Sequence, residues 1–275
     1  MIKSAFIEKL HTAWKKTNSL LCVGLDPDLE KLPACVLEAE YPMFEFNRRI
    51  IDQTAQYCCC YKPQIAYYSA YSAEDQLEQT IAYIKEYHPY HPVILDAKRG
   101  DIGATARMYA REAFTRYGAD AVTVNPYMGG DTLQPFLDYV NNGVVVLCRT
   151  SNAGSAEFQA LDCEGHSLAH QVAHQSLKWN KSGNIMLVTG ATYPREIAEI
   201  RAIVGDMPLL VPGVGAQGGG LRAVLENGLL EDKTGLMINS SRGIIYASKG
   251  DDFAFAAGEA AHVLSAEINA IRSSL

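Results

Sequence analysis

Val144-Val145-Val146-Leu147 is a run of four apolar residues with no polar alternation, and Cys148-Arg149-Thr150 follow it directly. A strand open to water on one face alternates apolar and polar side chains. A continuous run belongs instead to a strand covered on both faces, as in a parallel sheet flanked by helices. Working outward, seven more segments read as strands: residues 20–26, 57–63, 93–98 and 121–125 before it, and 185–189, 209–213 and 236–240 after it, with 144–150 as the fifth of eight. The stretches between them are longer and amphipathic. Tyr71-Ser72-Ala73-Glu74-Asp75-Gln76 opens one helix, with Ser72 as its N-cap and Asp75 three residues on. Residues 105–117 are rich in Ala, Arg and Met and stop at Gly118, a favoured residue just beyond a helix. Residues 254–272 make a last amphipathic helix. Eight strands alternating with helices predict an α/β chain folded as a (β/α)8 barrel, with residues 1–275 forming one domain. A doubly wound open sheet is the alternative, but it rarely needs so many strands.

At 275 residues, the chain is close to the typical length of such a barrel, about 250. With 48% hydrophobic and 20% charged residues it has enough apolar material for a full core. Its net charge of −7 argues against nucleic acid or a membrane surface as partner, while a small anionic ligand remains compatible with a few local cations. The opening Met1-Ile2-Lys3-Ser4-Ala5-Phe6 lacks the apolar stretch of a signal peptide, and no apolar run approaches the roughly 18 residues of a membrane span. Seven Cys, an odd number with no CxxC pair, suit a reducing cytoplasm better than a disulfide framework or structural zinc. Cys58-Cys59-Cys60 read as small apolar residues of a buried strand.

In a barrel of this kind the chemistry collects at the C-terminal ends of the strands. Six of the eight expected ends carry polar or charged residues: Gly24-Leu25-Asp26-Pro27-Asp28, Lys62-Pro63-Gln64, the segment Asp96 to Asp101, Thr150-Ser151-Asn152, Pro212 to Gly219, and Ser240-Ser241-Arg242-Gly243. The third of these is the densest. Asp96-Ala97-Lys98-Arg99-Gly100-Asp101-Ile102-Gly103-Ala104-Thr105-Ala106 follows Pro92-Val93-Ile94-Leu95, where a strand ends and a helix begins. Residues two apart on a strand share a face, which sets Asp96 beside Lys98 and leaves Asp101 in the loop beyond. A lysine held by carboxylates stays protonated and fixed, which suits it to stabilising and protonating a carbanion. The competing reading is an ordinary surface ion pair. The Gly-rich loop 212–220 and Arg242 suit a phosphate: glycines let backbone N–H groups approach an anion, and the guanidinium offers a planar fork. His166, His170 and His174 would share a helix face, but no carboxylate stands at a matching spacing, and a helix surface is the better reading than a metal site.

Together these ends resemble the orotidine 5′-phosphate decarboxylase family, in its longer bacterial (type 2) branch. The matching segments are Val23 to Asp28, Lys62-Pro63, Asp96 to Thr105, Thr150-Ser151-Asn152, Val211 to Gly219 and Ser241-Arg242-Gly243. The resemblance implies a TIM barrel that converts orotidine 5′-monophosphate (OMP) to UMP and CO2 in pyrimidine biosynthesis, with neither metal nor organic cofactor. It implies that Lys98 protonates C6, that Asp96 lies beside the departing carboxylate, and that Lys62 completes an alternating charge network. It further implies a cytoplasmic homodimer in which Asp101 and Thr105 reach the neighbouring site. Asp26 is expected on the ribose, Ser151 on the pyrimidine edge, and Gln217 with Arg242 on the phosphate. Pro212, Gly218 and Ser241 complete the expected substrate contacts. Ala153 stands where many members carry Pro, which loosens that loop. The nearest rival, a metal-dependent sugar-phosphate decarboxylase or aldolase of the same superfamily, would place an acid where this chain has Lys62. A non-catalytic nucleotide sensor would need the phosphate loop but not Lys62, Asp96, Lys98 and Asp101.

Overall fold

The computed structural model describes residues 4–214 and 220–275. Eight parallel strands form the sheet: β1 Leu21–Leu25, β2 Cys60–Pro63, β3 Ile94–Arg99, β4 Ala121–Val124, β5 Gly143–Arg149, β6 Ile185–Thr189, β7 Leu209–Pro212 and β8 Leu236–Ser240. Their order around the sheet is β2-β1-β8-β7-β6-β5-β4-β3, so each strand lies beside its neighbours in the chain and β8 returns to β1. Parallel bridges Tyr61↔Val93 and Gln64↔Asp96 join β2 to β3 and close the barrel. The fold is therefore the (β/α)8 barrel. Every residue of β1, β2, β4 and β6 is buried, as two covered faces require. Among the described residues, no helix is long and apolar enough to cross a membrane.

Three local expectations differ from the structure. Ser72 does not cap the helix Glu74–Tyr87, whose N-cap is Ala73. The preceding helix Ile65–Ser69 closes on itself through Ser72 N–H to Ser69 O and Ala73 N–H to Tyr68 O, which puts Ser72 in the left-handed region at φ 54. Gln76, in the first turn, instead accepts the Met43 and Phe44 amides at 2.8 and 3.2 Å, capping the helix Pro42–Thr54. The stretch expected as one strand over 57–63 begins with a 3-10 turn, Ala55–Tyr57, whose last carbonyl is pinned by the Ser19 hydroxyl at 2.7 Å. His166 lies in a short antiparallel pair, Asp162–Cys163 with His166–Ser167, ahead of the helix Leu168–Trp179. His170 closes a capping box with Ser167 and sets its Nε2 3.1 Å from Glu199. No three His, Cys, Asp or Glu side chains gather as metal ligands among the described residues.

Candidate active site

The centre of the site is built by an irregularity in β3. Its register with β4 runs from Leu95↔Val122 to Arg99↔Val124, so Asp96, Ala97 and Lys98 stand opposite the single residue Thr123. Such a bulge re-aims the side chains of the strand relative to a regular ladder. Lys98 takes a left-handed backbone, φ 46, uncommon for a residue with a Cβ. Its ammonium donates to Asp96 Oδ1 at 2.7 Å, while Lys62, from the end of β2, donates to Asp96 Oδ2 at 3.0 Å. Thr123 adds a third donor to Asp96 at 2.9 Å. The result is a continuous chain of Lys62, Asp96 and Lys98.

Lys62 and Asp96 are buried, whereas the Lys98 side chain is 48% exposed. Burial by itself disfavours both buried charges. For Lys62, the negative charges of Asp96 and Asp26 outweigh that cost and hold its pKa above the usual lysine value. For Asp96, burial is likewise overcome by Lys62 and Lys98, which hold the carboxyl well below the usual range. Lys62 and Asp96 are thus both ionised throughout the neutral range.

Two adjoining cavities open at this end of the barrel, of about 460 and 690 Å³, and Ser151 and Pro212 line both. The smaller one contains Lys62, Asp96, Lys98 and Thr123; the larger contains Asp26, Ser241 and Arg242. Asp26 lines the larger cavity, while its Oδ1 is shut off from solvent and has no hydrogen-bond partner among the described residues. Arg242 opens the short helix Arg242–Ile245 and is exposed. Tyr246 braces the β1 end against β8, with its hydroxyl between Asp26 O at 3.0 Å and Asp28 N–H at 2.7 Å.

Two glycines make this convergence possible. A Cβ on Gly24 would fall 1.8 Å from Ser241 Oγ, and one on Gly190 would fall 2.7 Å from the Ser151 backbone. The loop bearing Ser151 is also tethered from beneath. Buried Arg149 pairs with Glu196 at 2.6 Å, bonds Ser155 and stacks on Tyr193, while Gln159 accepts the Thr150 amide at 2.8 Å.

The strand ends thus bring together Lys62, Asp96 and Lys98, with Asp26, Ser151, Pro212, Ser241 and Arg242 around the same opening. Gln217 and Gly218 lie outside the described residues. Asp101 and Thr105 do not join the cluster within one chain: Asp101 accepts its neighbour's amide, Ile102 N–H, at 2.7 Å, and Thr105 is exposed on the helix Gly103–Arg111. Within the chain the Lys98 ammonium therefore pairs with Asp96, and the second carboxylate anticipated beside it is absent among the described residues. Thr123 and Arg149 are additions that strand-end reading passed over. A lone Thr within Ala121-Val122-Thr123-Val124 is a faint signal, and Arg149 was visible only as the polar end of an apolar run.

Comparison with known proteins agrees in one direction. A family model described as the orotidine 5′-phosphate decarboxylase / HUMPS family matches residues 19–254. The chain is 56% identical over 269 residues to the orotidine 5′-phosphate decarboxylase of Ralstonia pickettii (strain 12J), covering 98% of this chain and 99% of that protein. It is 57% identical over 268 residues to that of Dechloromonas aromatica (strain RCB), covering 97% and 99%. The solved structure of Leishmania donovani OMP decarboxylase matches with a TM-score of 0.84 at 40% identity, over 97% of this chain and 98% of that one.

Proposed function

The chain belongs to the orotidine 5′-phosphate decarboxylase / HUMPS family and decarboxylates OMP to UMP in pyrimidine biosynthesis; we propose that it does so through a C6 carbanion that Lys98 stabilises and protonates. The observation that carries this reading is the Lys62–Asp96–Lys98 chain at the mouth of the barrel. When the C6–carboxylate bond breaks, its electron pair stays in an in-plane orbital that the pyrimidine π system cannot absorb. Stabilisation must then come from a fixed positive charge, and its effect grows as the charge develops. Lys98 supplies that charge, and one of its N–H protons then passes to C6. The neutral amine regains a proton from solvent. Asp96 holds the ammonium in place before reaction, and Lys62 keeps Asp96 ionised.

Asp26, at the wall of the larger cavity, takes a ribose hydroxyl. Ser151 addresses the pyrimidine edge, and Arg242 takes the phosphate with Pro212, Ser241 and the loop residues Gln217 and Gly218. Phosphate is remote from C6, so its binding energy serves orientation and exclusion of water. Arg242→Ala is expected to lower kcat/KM for OMP by about 10- to 10²-fold, as loss of a charged hydrogen-bond partner does, while measurable turnover persists. An unchanged kcat/KM in steady-state assays would remove Arg242 from the site.

The working unit is a dimer in which Asp101 and Thr105 reach the neighbouring site. Ile102, the residue after Asp101, and Tyr127, in the loop after β4, expose 62% and 80% of their surface and are open to being covered by a second copy. Mixing inactive Lys98→Ala and Asp101→Ala protomers is expected to restore about a quarter of the sites, because each mixed dimer assembles one intact site. No recovery after subunit exchange would refute the shared site. The cytoplasm is the compartment that suits the chain. All seven cysteines are unpaired, and burial pushes the Cys148 thiol up to about 12, which keeps it protonated and inert. Recovery of the native protein from an oxidising compartment would overturn that placement.

The direct test is the loss of OMP absorbance with EDTA present. Sustained turnover supports a reaction carried by side chains alone. Inactivity toward OMP with metal-dependent turnover of a ketose phosphate would move the assignment to the sugar-phosphate branch of the superfamily.

A further inference from the structure

We propose that Thr123 is a positioning residue for the decarboxylation, holding the β3 bulge in the shape that places the Lys98 ammonium. The inference rests on the reading of Lys98 as proton donor. Opposite Thr123, β3 carries three residues where a regular ladder has one, which leaves surplus backbone amides. The Thr123 hydroxyl takes two of them, Ala97 N–H at 2.9 Å and Lys98 N–H at 2.8 Å. Those donors occupy both lone pairs of the oxygen, so its own hydrogen is left for Asp96 Oδ1, 2.9 Å away. One side chain therefore bonds three consecutive residues of the reactive segment.

Thr123 is 1% exposed, so solvent does not substitute for these bonds. The Lys98 backbone is in the left-handed region, a conformation that persists only where its surroundings over-determine it. The bond to its own amide does so. The Lys98 ammonium, half-exposed and paired with Asp96 among the described residues, takes its position from that backbone and that carboxylate. Thr123 controls both. With every hydrogen-bonding capacity spent inside the chain, the hydroxyl has nothing to offer a substrate, which makes its role geometric.

Thr123→Val keeps the shape and removes all three hydrogen bonds, while Thr123→Ser keeps the hydroxyl. In steady-state kinetics on OMP, the valine variant is expected to lose about 10²-fold in kcat, the scale of a small misplacement of a reacting group. Its KM and its equilibrium affinity for UMP stay within about threefold, and serine restores kcat to within about fivefold of the parent. A valine variant with kcat within threefold of the parent overturns the proposal. So does a loss that serine fails to restore, or one matched by an equal loss of UMP binding. Should the valine variant not fold, Thr123→Cys, whose sulfur makes only weak hydrogen bonds, is read by the same criteria. The underlying reading fails separately, through OMP turnover that survives Lys98→Ala in a protein with Thr123 intact.

Discussion

Lys98→Ala is expected to reduce kcat for OMP by at least about 10⁴-fold while UMP binding stays within a few-fold of the parent. Two losses combine in this one substitution. The ammonium is the fixed charge that stabilises the carbanion, and it is also the proton source for C6. Neither service is replaced by Lys62, which is buried against the far oxygen of Asp96 at 3.0 Å. The fold should tolerate the change, because the Lys98 side chain is half-exposed and its removal leaves Asp96 still paired with Lys62 and Thr123. Single-turnover measurements, with UMP affinity by titration, separate chemistry from binding. Turnover within tenfold of the parent would sink the mechanism.

Asp96→Asn carries the second large effect, and it falls on stability as well as on turnover. The substitution is nearly isosteric, but it strips the buried Lys62 of its principal counter-charge. Removing one partner of a buried ion pair costs about 3–5 kcal/mol, because the remaining charge is left uncompensated. Denaturant unfolding should report a loss of that order, alongside a fall in kcat, since the Lys98 ammonium loses its carboxylate partner. A variant within 1 kcal/mol of the parent would mean that Lys62 draws its compensation from Asp26 instead. The same network sets a pH window. The Asp96 carboxyl is depressed in the folded chain, so its contribution is complete above the ordinary aspartate value near 4 and is lost as pH falls toward the folded value. Lys62 is raised, so its contribution is complete below the ordinary lysine value of about 10.4 and is lost as pH climbs through the folded value. Between those limits the pair holds intact, and Asp96→Asn should remove the acid side of this dependence.

The alternation of strands and helices was legible in the sequence, because a barrel strand must be apolar on both faces and that requirement is local. Val144-Val145-Val146-Leu147 announces its burial with no knowledge of its neighbours. The set of strand-end residues was legible for the same reason, since polar groups next to apolar runs mark where the chain leaves the core. Pairings and conformations that depend on distant residues were not. Ser72 has the composition of an N-cap, yet the helix before it claims the position. Gly24 is informative only once Ser241, from the other end of the chain, is known to press against it. Strand alternation also placed Asp96 beside Lys98, but the structure joins them through a bulge measured against β4 and held by Thr123. A one-dimensional pattern reports how much of each residue is buried. Register and hydrogen-bond partners are decided between strands, where tertiary structure alone settles which donor meets which acceptor.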